Sequence, residues 1–450
     1  MLGTTRKRRG LRLLAGMGAL LLILAACGDD TADDPAPADE VSDEEPGDDE
    51  PTDEPADEPD DAEADGEQVE IVLQTHVTPN LTQEFWADVV ERFEAENPDV
   101  TVETISAPDT DSTAYLRTLL ASDSMPDVMM NYSVSEFVEA GAMRPFEIDE
   151  DIQRIRDVEQ HFIDGELYHL PVELQPISLI FYNKDHFAEA GIEDEPTSME
   201  ELEQASQQLQ DAGIAPFVMI GEWIPGYVWS TWTMATVMQE EGPTYWQDYR
   251  DGTASFDSEP WTTTAQTFQD WAEAGIFNTD DLGEGYVQGE QLFLSGEAAM
   301  YPMGIWFTAA ADQADFEVGV FPAPTLTDEP ALVANIGSLS PGVSSSTEHP
   351  DAAVRLAKFL VFDEEFGPQL LESDGLLSNL EPPLSYDLTE LQQDVFDLTT
   401  ELDIYPSING VGEQTPPPGT PDRLNDAIVG ILLGNDVSST LADVDAELAN

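Results

Sequence analysis

Residues 69–105 read VEIVLQTHVTPNLTQEFWADVVERFEAENPDVTVETI, and the spacing of their apolar positions changes twice. Residues 69–73 are a short apolar, β-branched run, the pattern of a buried strand. Over 81–97, Phe85, Trp86, Val89, Val90 and Phe93 fall on one face of a 3.6-residue repeat, and Asn97-Pro98 stops the helix. Val100 and Val102 then alternate with polar residues in a second strand over 100–105. Outward from this unit the alternation continues. A helix is expected around 113–121 and a strand at 127–130. Ser133 with Glu136 forms a Ser-x-x-Glu capping box for a helix that Gly141 ends. A βαβαβα succession predicts an α/β fold with parallel-dominated sheets and helices on both faces.

Further along, strands are expected at 179–182, 217–220, 298–303 and 318–321. A helix capped by Thr197-x-x-Glu200 should run to Gly213, and another, entered through Pro350, should cover 351–362. Before residue 69 the chain is different in kind. Arg6, Lys7, Arg8, Arg9 and Arg12 precede an apolar run, residues 13–26, too short to span a bilayer core. Residues 1–26 therefore read as an export signal. Residues 28–68 hold 21 acids, six prolines and no base, a composition expected to give a stiffened, disordered tether.

The chain carries 93 acids against 15 bases, a formal net charge of −78, and acidity persists beyond the tether. Such self-repulsion suits a high-salt environment. It excludes nucleic acid as a partner, because counterion release needs a basic footprint. Cys27 is the single cysteine, so no intramolecular disulfide forms and the core rests on burial. The histidines at 76, 161, 169, 186 and 349 show no metal-ligand spacing, and no nucleophile elbow or phosphate loop occurs. No metal or cofactor is expected.

In open α/β sheets ligands sit beyond the carboxyl ends of strands. Four such loops stand out: Gln74-Thr75-His76, Asn131-Tyr132-Ser133, Gly221-Glu222-Trp223 and Gly304-Ile305-Trp306. Aromatic rings beside carboxylates or amides suit neutral polyols, whose C–H faces stack while hydroxyls donate. His76 reads as a hydrogen-bonding loop residue. Tyr227, Trp229 and Trp232 also fit a helix face, with at least one in the core.

In order, these segments resemble the extracellular solute-binding proteins of carbohydrate ABC importers, the maltose-binding-protein-like family. The resemblance is carried by residues 85–130 with Pro126-Asp127-Val128, by Gly165-Glu166-Leu167-Tyr168-His169-Leu170-Pro171, and by Phe181-Tyr182-Asn183-Lys184. Gly296-Glu297-Ala298-Ala299-Met300, Gly304-Ile305-Trp306, Asn335-Ile336-Gly337 and Pro350-Asp351-Ala352-Ala353 complete it. It implies a two-lobed periplasmic-binding-protein-like fold of type II, hinged between lobes. The lobes would be 69–173 with 323–376 and 174–322 with 377–450, with crossings near 172–176 and 320–324. It implies ligand contacts from Trp306, Trp223, Glu173, Glu222, Tyr132, Asn131, Ser133, His76 and Gly337. Leu24-Ala25-Ala26-Cys27 resembles a bacterial lipobox, which implies lipidation of Cys27 and anchoring to the outer face of the cell membrane. The implied function is a monomeric, non-enzymatic receptor that delivers a sugar or oligosaccharide to an ABC permease. Two alternatives remain: a receptor for a polyamine or other cation, held by Glu173, Glu222 and cation–π contacts with Trp223 and Trp306, or a tethered glycoside hydrolase.

Overall fold

The computed structural model describes residues 68–449 apart from 109–110, 312, 328, 338 and 410–415. The export segment, Cys27 and the tether up to residue 67 lie outside the described residues.

Thirteen strands appear in chain order: β1 Val69–Thr75, β2 Val100–Ser106, β3 Val128–Met129, β4 Met143–Arg144, β5 Glu173–Pro176, β6 Leu179–Asn183 and β7 Ala215–Phe217, then β8 Ala298–Met303, β9 Val318–Pro322, β10 Ala331–Ile336, β11 Gly342–Ser344, β12 Leu377–Ser378 and β13 Asp403–Pro406. They form three sheets, ordered β2-β1-β3-β11-β4, β12-β5-β10-β13 and β7-β8-β6-β9. The α/β class holds, but the sheets are mixed rather than parallel-dominated. β1–β2, β1–β3, β7–β8 and β10–β13 pair in parallel, while β5, β6 and β11 run antiparallel to both neighbours. Helical crossovers make the parallel pairs. Strands returning from later in the chain enter each sheet the other way.

Only Ile177-Ser178 separate β5 from β6, so the chain leaves the middle sheet and enters the last without a turn. β9 belongs to the last sheet, and β10 lies against β5 in the middle one.

The opening unit forms as its pattern predicts. Thr82 caps the helix Gln83–Glu96 by accepting from the Phe85 amide, and Trp86, Val89 and Phe93 are buried beneath it. Asp127 fixes the sheet's middle: its carboxylate accepts from the Val72 amide at 2.7 Å and the Thr347 hydroxyl at 2.5 Å. Asn183 caps the helix Lys184–Ala190, accepting from the amides of Asp185 and His186 at 2.9 and 3.1 Å. Two polar residues of the resemblance motifs are thus architectural.

Other local expectations shift. Ser133 makes no side-chain cap bond, and Glu136 grips Arg117 through two contacts of 2.7 and 2.8 Å, so the capping box is absent. The cap of the helix Met199–Asp211 is Ser198, one residue later than expected, with Glu201 accepting from the Thr197 hydroxyl. The strand expected at 217–220 is β7, displaced toward the N-terminus. The helix Ile224–Glu240 has 14 of its 17 residues buried, so it shows no apolar stripe. Its Ser230, Thr231 and Thr233 hydroxyls bond back to helix carbonyls and so survive burial.

Candidate functional site

The expected loops do converge, in two groups. After β1 and β3, His76 meets Asn131, whose side-chain amide nitrogen lies 3.0 and 3.1 Å from the two ring nitrogens. Asn131 reaches there from a left-handed backbone with φ of 51°. Burial lowers the His76 imidazole to about 4, so the ring is neutral at pH 7. Its backbone carbonyl accepts from the Trp86 indole at 2.8 Å, locking the loop onto the first helix. Ser133 is exposed, and its amide donates to the Thr113 hydroxyl.

The second group is an aromatic wall. Trp306 follows β8 through Gly304, where any Cβ would run into the indole; the glycine lets the ring fold back over its own turn. Trp223 precedes the helix Ile224–Glu240, and its ring centroid lies 6.4 Å from that of Trp306. Tyr227, one turn on, is 5.2 Å from Trp223 and 5.9 Å from Trp306. Its hydroxyl donates to the Ile177 carbonyl between β5 and β6 at 2.6 Å. Tyr286, from a third element, sits 5.7 Å from Trp223. Trp223, Tyr227 and Trp306 stay half-buried, whereas Trp229 and Trp232 are core residues, as their helical spacing allowed.

Four of the expected contact residues make bonds or packing contacts within the protein. Glu173 is 2% exposed, and its carboxylate accepts from the Leu339 amide at 2.5 Å and the Ser340 hydroxyl at 2.9 Å. It clasps the loop after β10, and burial pushes its carboxyl up to about 7. Glu222 accepts from the Tyr286 amide at 3.0 Å, satisfying an orphan donor at the start of the helix Tyr286–Leu294. It holds the Tyr286 backbone, whose ring lies beside Trp223. The Tyr132 ring is core, edge-on to Phe137 at 5.9 Å, with its hydroxyl against Gly342. Gly337 is a packing residue with φ of 77°, where a Cβ would stand 2.5 Å from Pro171.

Sequence reasoning missed Asn80, Tyr286, Glu290 and Asp374. Asn80 donates to the Trp306 carbonyl at 3.2 Å and to Asp374 at 2.9 Å, so one amide joins the β1 loop to the Trp306 turn. Tyr286 donates to Glu290 at 3.2 Å. Asp374 and Glu290 are two acids among 93, and no local pattern marks them as buried. The one available signal was the i, i+4 spacing of Tyr286 and Glu290 after Gly285.

Among the described residues, no group of three or more His, Cys, Asp or Glu is placed to hold a metal, and no helix is long and apolar enough to cross a membrane. Two α/β lobes joined by crossing strands, with an aromatic wall on separate elements, define a solute-clamping receptor. The sequence profile of the bacterial extracellular solute-binding proteins matches residues 78–365, and the chain belongs to that family. Its members work outside the cytoplasm. The multiple sugar-binding protein of Streptococcus mutans is 23% identical over 283 residues, 60% of this chain and 66% of that protein's length. The maltotriose-binding protein of Pyrococcus abyssi is 22% identical over 330 residues, 70% of this chain and 68% of that protein. Among solved structures, a chitin oligosaccharide binding protein superposes with a TM-score of 0.73 at 20% identity, covering 85% of this chain and 99% of that one. The raffinose complex of the solute-binding protein RafE gives 0.67 at 19% identity, covering 84% and 98%.

Proposed function

We propose that this protein is the substrate-binding lipoprotein of an ABC importer, capturing a sugar or oligosaccharide between two lobes and presenting it to a permease. The carrying observation is the wall of Trp223, Tyr227, Tyr286 and Trp306, drawn from three elements and bordered by Asn80, Asp374 and Glu290. Half-buried rings beside hydrogen-bonding groups stack on C–H faces and take hydroxyl donors. The names of the sugar-binding relatives support the same ligand class.

The lobes are residues 69–173 with 323–376 and 174–322 with 377–450. Ligand touching both shifts the population toward the closed form, which the permease reads. Asn131, His76 and Ser133 contribute from the first lobe. No covalent step is involved, so the protein is not an enzyme. Cys27 is lipidated and fixes the monomer to the outer face of the membrane. The tether lets the clamp move there. Its acid excess is an adaptation to high salt.

A thermal-shift screen of mono- and oligosaccharides in molar KCl tests this reading. At least one sugar should raise the melting temperature in proportion to the logarithm of its concentration. No shift with any sugar would overturn it. For the anchor, Cys27→Ser should move the protein from the membrane fraction to the medium.

A further inference from the structure

Around the aromatic wall the fold buries two carboxyl groups, Glu290 at 3% and Asp374 at 8% exposure. Each has one donor: Tyr286 for Glu290, and Asn80 for Asp374. Neither takes part in an ion pair among the described residues. Two hydroxyls in the same region are wholly buried with no hydrogen-bond partner, those of Tyr301 and Thr308. Thr308 abuts the segment after Asp374, since a Cβ on Gly375 would strike its hydroxyl. Tyr301 shares its electrostatic surroundings with Tyr286, Glu290 and Tyr227.

A buried carboxyl without a countercharge is costly, and unpaired buried hydroxyls add to that cost. Burial and the neighbouring Glu290 push Asp374 up to about 7, and burial raises Glu290 as well. What is missing is a group with several donors and a positive charge. A neutral sugar hydroxyl donates once. An ammonium donates three times, and both carboxylates and aromatic faces attract it. Of the acids singled out in the sequence for a cation, Glu173 is already held by the Leu339 amide and the Ser340 hydroxyl.

We propose that Asp374 and Glu290, bordering the aromatic wall, form a specificity subsite for a protonated amine on the ligand. This rests on the solute-binding function proposed above. The amine belongs to an amino sugar or to a polyamine, and the test separates the two.

Calorimetric titrations of the full chain in high salt would use glucosamine oligomers with free amines, their N-acetylated counterparts, glucose oligomers of equal length, and spermidine. The free-amine oligomer should bind about tenfold or more tightly than the neutral ones, the gain of a charge-assisted hydrogen bond over a neutral one. Asp374→Asn and Glu290→Gln should each remove that preference, so that free-amine and neutral oligomers of equal length bind the variant within about threefold of each other. Both variants keep the side-chain shape, and their unfolding midpoints are measured alongside. Binding of spermidine alone would sustain the amine subsite and overturn the carbohydrate reading. Equal or tighter binding of neutral oligomers by the parent protein would overturn the subsite and leave the carbohydrate reading intact. Binding of none of the four would overturn the subsite, and the wider sugar screen then decides the carbohydrate reading.

Discussion

Replacing Glu173 separates a structural acid from a ligand contact. The carboxylate receives the Leu339 amide at 2.5 Å and the buried Ser340 hydroxyl at 2.9 Å, while the Gly337 amide bonds its carbonyl. Glu173→Ala leaves two buried donors without an acceptor. At about 1–3 kcal/mol for each unsatisfied group, the loss should be about 3 kcal/mol or more. Glu173→Gln keeps one acceptor oxygen and lets Ser340 accept from the new amide, so it should cost about 1 kcal/mol or less. The pH profile adds a sign. The folded-state carboxyl sits near 7, above its ordinary 4.5, so folding favours its protonated form. Its stabilising contribution is full below about 4.5, falls as pH rises toward 7, and is constant above that. Denaturant unfolding at pH 4.5 and 7.5 measures both effects. The parent should lose stability across this window, and Glu173→Gln should flatten part of the loss. Asp374 shifts in the same direction, so some slope remains. A Glu173→Ala protein as stable as the parent, or a Glu173→Gln protein with unchanged pH slope, would refute the clasp.

Three further outcomes are expected. Gly337→Ala forces a side chain into a left-handed backbone and against Pro171, so denaturant unfolding should show a loss of about 2 kcal/mol or more. Asn183→Ala removes the acceptor for two helix-start amides and should cost about 1 kcal/mol by the same measurement. With a net charge of −78, the parent's unfolding midpoint should rise steeply between 0.1 and 2 M KCl; a midpoint independent of salt would count against adaptation to salinity.

The fold was legible wherever one face of an element meets water. The helix Gln83–Glu96 shows its stripe because only Trp86, Val89 and Phe93 are fully covered. β10 went unread: five of its six residues, Ala331 to Asn335, are buried, so it lacks alternation. The site divides in the same way. Trp223 and Trp306 stood out because a bulky ring beside a glycine turn is conspicuous in sequence. Glu173, Glu222 and Tyr132 matched by position, but the direction of a side chain is settled by its neighbours. Asp374 and Glu290 were hidden by abundance, since burial of two acids among 93 is decided by tertiary contacts alone.

The central claim is that a sugar stacks on the wall built around Trp306. Calorimetry with the tightest-binding oligosaccharide, on the parent and on Trp306→Ala, tests it most directly. The account predicts at least about tenfold weaker binding in the variant, from loss of roughly 1.4 kcal/mol or more of stacking and apolar contact, with the fold retained. Equal affinity in a folded Trp306→Ala protein would contradict it.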